Sequence, residues 1–96
     1  MSRRDPEEAP QRSAAKEKLV ATAAAWGATA ARQVIPRVQA AGTKGEVSAL
    51  LNELAHAIVS EARTRFSDDP ALAEVWRVAA HEAACAQLSA VEWQGP

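Results

Sequence analysis

AGTKGEV, residues 41–47, is the stretch on which the fold turns. Gly42 stands where a helix would end, in the position that favours a left-handed residue. Thr43-Lys44-Gly45-Glu46 then has the spacing of a capping box, with threonine closing the start of a new helix and glutamate reaching back to it. One helix therefore stops and another starts within a few residues, and so short a connection lays successive helices side by side and antiparallel. The device recurs at SDDP, residues 67–70, where Asp69 is placed to cap and Pro70 to occupy the first helical position. Strand signals are missing: there are no alternating β-branched runs and no Asn-Gly or Asp-Gly turns.

The reading that follows is an all-α fold, an antiparallel up-down-up bundle of three main helices. The first starts at Ser13 and runs to about Val34. Ile35-Pro36 predicts a break or kink, because proline lacks the N–H and disfavours helix in the residue before it; a short continuation then reaches Ala41. The second helix covers about 44–66 and the third about 70–93. Asp5-Pro6-Glu7-Glu8 resembles a helix start, but Pro10 follows closely, so residues 1–12 read as a frayed or weakly helical, solvated segment ahead of a single domain over 13–94.

Composition narrows the function classes. The chain has 96 residues and a net charge of −1, with no basic patch to suit nucleic acid. Its single cysteine cannot close an internal disulfide, which fits a reducing, cytoplasmic compartment. MSRRDPEEAP carries positive charge with no apolar run behind it, so it does not read as a signal peptide. No uncharged apolar stretch reaches the roughly 18 residues of a membrane span.

The faces of the helices differ. The second helix has an ordinary apolar stripe of Val47, Leu50, Leu51, Leu54, Ile58, Ala62 and Phe66, opposite Asn52, Glu53, His56, Ser60 and Arg63. The third places Leu72, Val75, Trp76, Ala79, Ala83, Ala86, Ala90 and Trp93 on one stripe, and Val78, Cys85 and Leu88 on a weaker second one beside His81. The first is unusual. From Leu19 to Ala31 it holds no charge on any face, and its one large side chain besides Leu19 and Val20 is Trp26. A helix apolar all round is normally covered all round, which two partner helices cannot achieve.

Three arrangements would cover it. Small residues let helices approach closely; a second copy of the chain could take the spare face; or the small residues could line a cavity. In the last case Thr22, Trp26, Gly27, Thr29 and Gln33 would form the site, with the two threonines and Gln33 supplying the few oriented polar groups that a ligand pocket uses. Gly27 needs a steric reason of some kind, since glycine in a helix costs about 1 kcal/mol against alanine. The leading expectation is a non-enzymatic binding scaffold with a small-molecule pocket around Trp26. The alternative is a homodimeric interaction protein that buries the apolar faces of helices one and three.

No catalytic signature dominates. His81 and Cys85, four residues apart, share a helix face and could hold a metal or pair imidazole with thiol. Either could also serve as the axial ligand of a haem or porphyrin, which gives a third reading, a haem-dependent catalyst. Glu53-x-x-His56 matches half of a di-iron carboxylate motif, but it is a single copy opposite the apolar stripe. Glu61 lies at the edge of that stripe, where its stem can pack while its head stays wet.

Across residues 5–93 the agreement of caps, prolines and glycines with helix boundaries resembles, in style, a computationally designed helical bundle. That resemblance implies an idealised scaffold that could carry a binding pocket, and names no natural family.

Overall fold

The structure is a computed structural model that describes residues 8–91, with side chains from residue 14 onward. It contains three helices, α1 (Glu8–Ala40), α2 (Lys44–Arg65) and α3 (Pro70–Ser89), and the all-α bundle expected from the turns is what forms. Numbers on α1 and α3 rise together, with Trp26 against Trp76 and Arg32 against Gln87, so these two helices run parallel. Arg37 meets Glu53, and Ala40 lies beside Ala49 and Leu50, so α2 runs back antiparallel to both.

The turns form largely by the chemistry read from the sequence. The Thr43 hydroxyl accepts from the Glu46 N–H at 3.1 Å. The Glu46 carboxylate reaches one residue beyond the threonine and accepts from the Gly42 N–H at 2.9 Å. Gly42 is not left-handed; no described glycine has positive φ, and the carboxylate ties its N–H without that conformation. Asp69 accepts from the Leu72 N–H at 3.2 Å with Pro70 in the first turn of α3. Residues 92–96, Trp93 among them, lie outside the described residues, as do residues 1–7 of the segment expected to fray.

Neither proline of the α1 region breaks the helix. Pro10 falls in the first turn of α1 as described, where an N–H has no partner within the helix to lose. Pro36 lies inside α1, which continues to Ala40 without a break. The carbonyl deprived of a donor is that of Arg32, and both Arg32 and Pro36 are exposed, so the defect sits on the solvent side where it costs least. Pro36→Ala should therefore restore one helical hydrogen bond and stabilise the fold by about 1–2 kcal/mol, less than the roughly 3 kcal/mol separating proline from alanine in a helix, because the proline also restricts the unfolded chain. A rise in the thermal midpoint checks this; an unchanged midpoint would mean that the free carbonyl costs nothing.

The core is built on small residues. Ala23, Ala31, Ala80 and Ala84 are buried where α1 meets α3, and α2 closes the cluster with Leu54, Ile58 and Ala62. Trp76 is the largest fully buried side chain. The α3 stripe expected from hydrophobicity is rotated: Trp76 and Ala79 are buried as read, but Leu72, Ala86 and Ala90 are exposed while Ala80 and Ala84 are inside. Contact with α1 favours the residues that allow the backbones closest, and a hydrophobicity pattern ranks those low. On α2, Leu51 of the expected stripe is 39% exposed.

Candidate functional site

The five residues expected to line a pocket differ in their surroundings. Gly27 is buried with α3 directly against it: a Cβ built there would lie 2.0 Å from the Ala80 carbonyl oxygen and 2.8 Å from its Cα. The space that a ligand would need is filled by backbone. Trp26 is half-buried, its ring 5.2 Å from that of Trp76 at a tilt of 58°, a favourable aromatic arrangement. Thr22, Thr29 and Gln33 are exposed. Of the three arrangements open to α1, the geometry of Gly27 is that of close helix approach.

Trp76 is clamped from a second side. The Arg65 guanidinium lies 5.1 Å from its ring centroid, within reach of a cation–π interaction. Glu61 holds that guanidinium at 2.8 Å. Glu61 thus acts as a tether for Arg65. The Trp76 indole N–H is buried and has no acceptor among the described residues.

His81 and Cys85 do meet, with Sγ 3.4 Å from Nε2. Both are exposed on α3. A haem ligand would have to face an apolar slot, which these outward side chains do not. No group of three or more His, Cys, Asp or Glu side chains among the described residues is arranged to hold a metal. His56 and Glu53 are also exposed, and Glu53 is paired with Arg37 at 3.4 Å.

What the outer side of α1 and α3 does present is an apolar strip. Val20 is 36% exposed and Val78 39% exposed. With Val75 they border a shallow groove of about 320 Å3, whose edges carry Lys16 on α1 and Glu74 and Glu82 on α3. The Arg77 guanidinium hydrogen-bonds to Glu74 and holds its carboxyl below the usual carboxylate range. Val78 stands on the weaker second stripe legible in the sequence; its neighbour Val20 could not be assigned to it before the parallel register of α1 and α3 was known.

Among the described residues no helix is long and apolar enough to cross a membrane. Comparison with protein-family models, with curated proteins and with solved structures finds no match to this chain.

Proposed function

We propose that this chain is a small interaction protein without catalytic activity, and that it pairs with a second copy of itself through the outer face of α1 and α3. The observation that carries this reading is the exposed valine strip edged by charges of both signs, Lys16 on one helix and Glu74 and Glu82 on the other. A two-fold pairing uses the same patch on both copies. It can set Lys16 of one copy against Glu82 of the other, Glu74 being held by Arg77, while the valines meet between them, and the charges then fix the orientation. A stable pair would need to bury about 800 Å2 on each copy, more than the valines alone supply, so polar residues of both helices would flank them. A ligand pocket around Trp26 has less to support it, since Gly27 abuts Ala80 and the polar residues of that helix point outward.

Light scattering at micromolar to hundred-micromolar concentration should give twice the 10.2 kDa mass of one chain. Val78→Glu, at an exposed position that leaves the core untouched, should weaken pairing at least about 100-fold, equivalent to roughly 2.8 kcal/mol, with unchanged helical content. A parent protein that stays monomeric throughout this range would remove the proposal.

A further inference from the structure

A second groove, which shares Glu74 with the edge of that face, lies between the end of α2 and the start of α3, with a volume of about 750 Å3. Its floor is apolar: Val59, Ala62 and Phe66 from α2 and Ala73 from α3. Its charged lining is two arginines, Arg63 and Arg77, against one glutamate, Glu74. Arg77 is spent, because both Nε and a terminal nitrogen bind the Glu74 carboxylate. The next arginine along, Arg65, is likewise held by Glu61. Arg63 has no carboxylate partner among the described residues, and it also lines the adjoining depression of about 590 Å3 around His56 and Ser60. A single unneutralised guanidinium thus stands at the lip of an apolar trough, on a protein whose net charge is −1.

The geometry points to a binding site for an amphipathic monoanion, a carboxylate with an unbranched apolar chain. The chain would lie along Val59, Ala62, Phe66 and Ala73, and the carboxylate would pair with Arg63. One free positive charge matches one negative charge. Arginine suits the role because its planar fork can grip both carboxylate oxygens. The apolar floor supplies the rest of the affinity, which grows about fourfold for each methylene buried. The helices make the trough because α2 meets α3 only through its inward side chains. Past Ala62 the chain turns through Phe66–Asp69 into α3, and Phe66 and Ala73, packed against the core on one side, stay half-buried on the other.

The test is titration calorimetry on the full chain with octanoate, decanoate and decanol, each below micelle formation. Decanoate should bind more tightly than octanoate by roughly fifteenfold, two methylenes at about fourfold each, and more tightly than decanol. Arg63→Gln, at an exposed side chain that the fold does not use, should weaken decanoate about tenfold and leave decanol unchanged. Val59→Gln, in the floor, should weaken both. Equal binding of decanoate and decanol to parent and Arg63→Gln would overturn the assignment in favour of unspecific apolar adsorption, and absence of decanoate binding would overturn it outright. Light scattering on the same samples reads pairing separately, so loss of self-association would leave this result standing.

Discussion

Replacing Gly27 with alanine should destabilise the protein by about 2 kcal/mol, and replacing it with leucine should unfold it. Helix propensity alone gives the opposite sign, since alanine is favoured over glycine by about 1 kcal/mol in a helix. The obstruction decides the outcome. A Cβ at position 27 would meet the carbonyl oxygen, carbonyl carbon and Cα of Ala80 at 2.0, 2.7 and 2.8 Å. All three are backbone atoms, which cannot rotate aside as a side-chain tip can. The helices must separate by an ångström or more, and the buried contacts of Ala23, Ala31 and Ala84 open with them. Overpacking costs about 1–3 kcal/mol where side chains can adjust and more where they cannot. Urea denaturation of Gly27→Ala is the direct measurement, read as a lower midpoint at constant slope. A midpoint equal to the parent's or above it would show that the helices do not approach this closely.

Trp76→Ala should cost about 3–5 kcal/mol, a large share of the roughly 5–15 kcal/mol that holds a domain together. Trp76 is 1% exposed, and it joins all three helices: its ring packs on Trp26 of α1 and carries Arg65 of α2 over its face. Truncation would leave a hole flanked by alanines, which have no length with which to fill it. Trp76→Phe should cost much less, about 1 kcal/mol. It keeps an aromatic ring against Trp26 and removes a buried N–H without an acceptor, whose burial costs roughly 1–3 kcal/mol and partly offsets the lost volume. Chemical denaturation of the two variants side by side checks both size and order. A phenylalanine variant as weak as the alanine one would mean that the indole N–H is satisfied after all.

The caps were legible from sequence because capping is local. Thr43 and Asp69 act on N–H groups three residues ahead, and no tertiary information is needed to find them. The same locality makes the contact of His81 with Cys85 readable from their spacing. At Pro36 the sequence left break and kink both open, because whether a helix tolerates proline depends on which side of the molecule the orphaned carbonyl faces. The close approach at Gly27 was not legible for a more general reason. A run of alanines around a glycine is the signature both of a cavity and of two backbones in contact, and only the position of α3 separates the two. The trough beside Arg63 was invisible for a related reason: its lining comes from the end of α2, the turn and the start of α3 together, and no one of these encodes it alone.

The parallel seam between α1 and α3 also governs how the chain reaches its native state. Its contacts join residues far apart: Arg32 and Gln87 are separated by 55 positions. α1 and α3 meet more extensively than either meets α2, the helix that is their neighbour in sequence. Closing a loop of that length costs on the order of 3–4 kcal/mol of chain entropy before the seam repays any of it. An ordinary three-helix bundle can zip outward from its turns; here each turn joins a pair of helices that hold each other weakly. Folding must wait for the first and last helices to find one another across the whole chain, so the rate is set by that encounter, and the protein folds more slowly than its helical content alone would suggest.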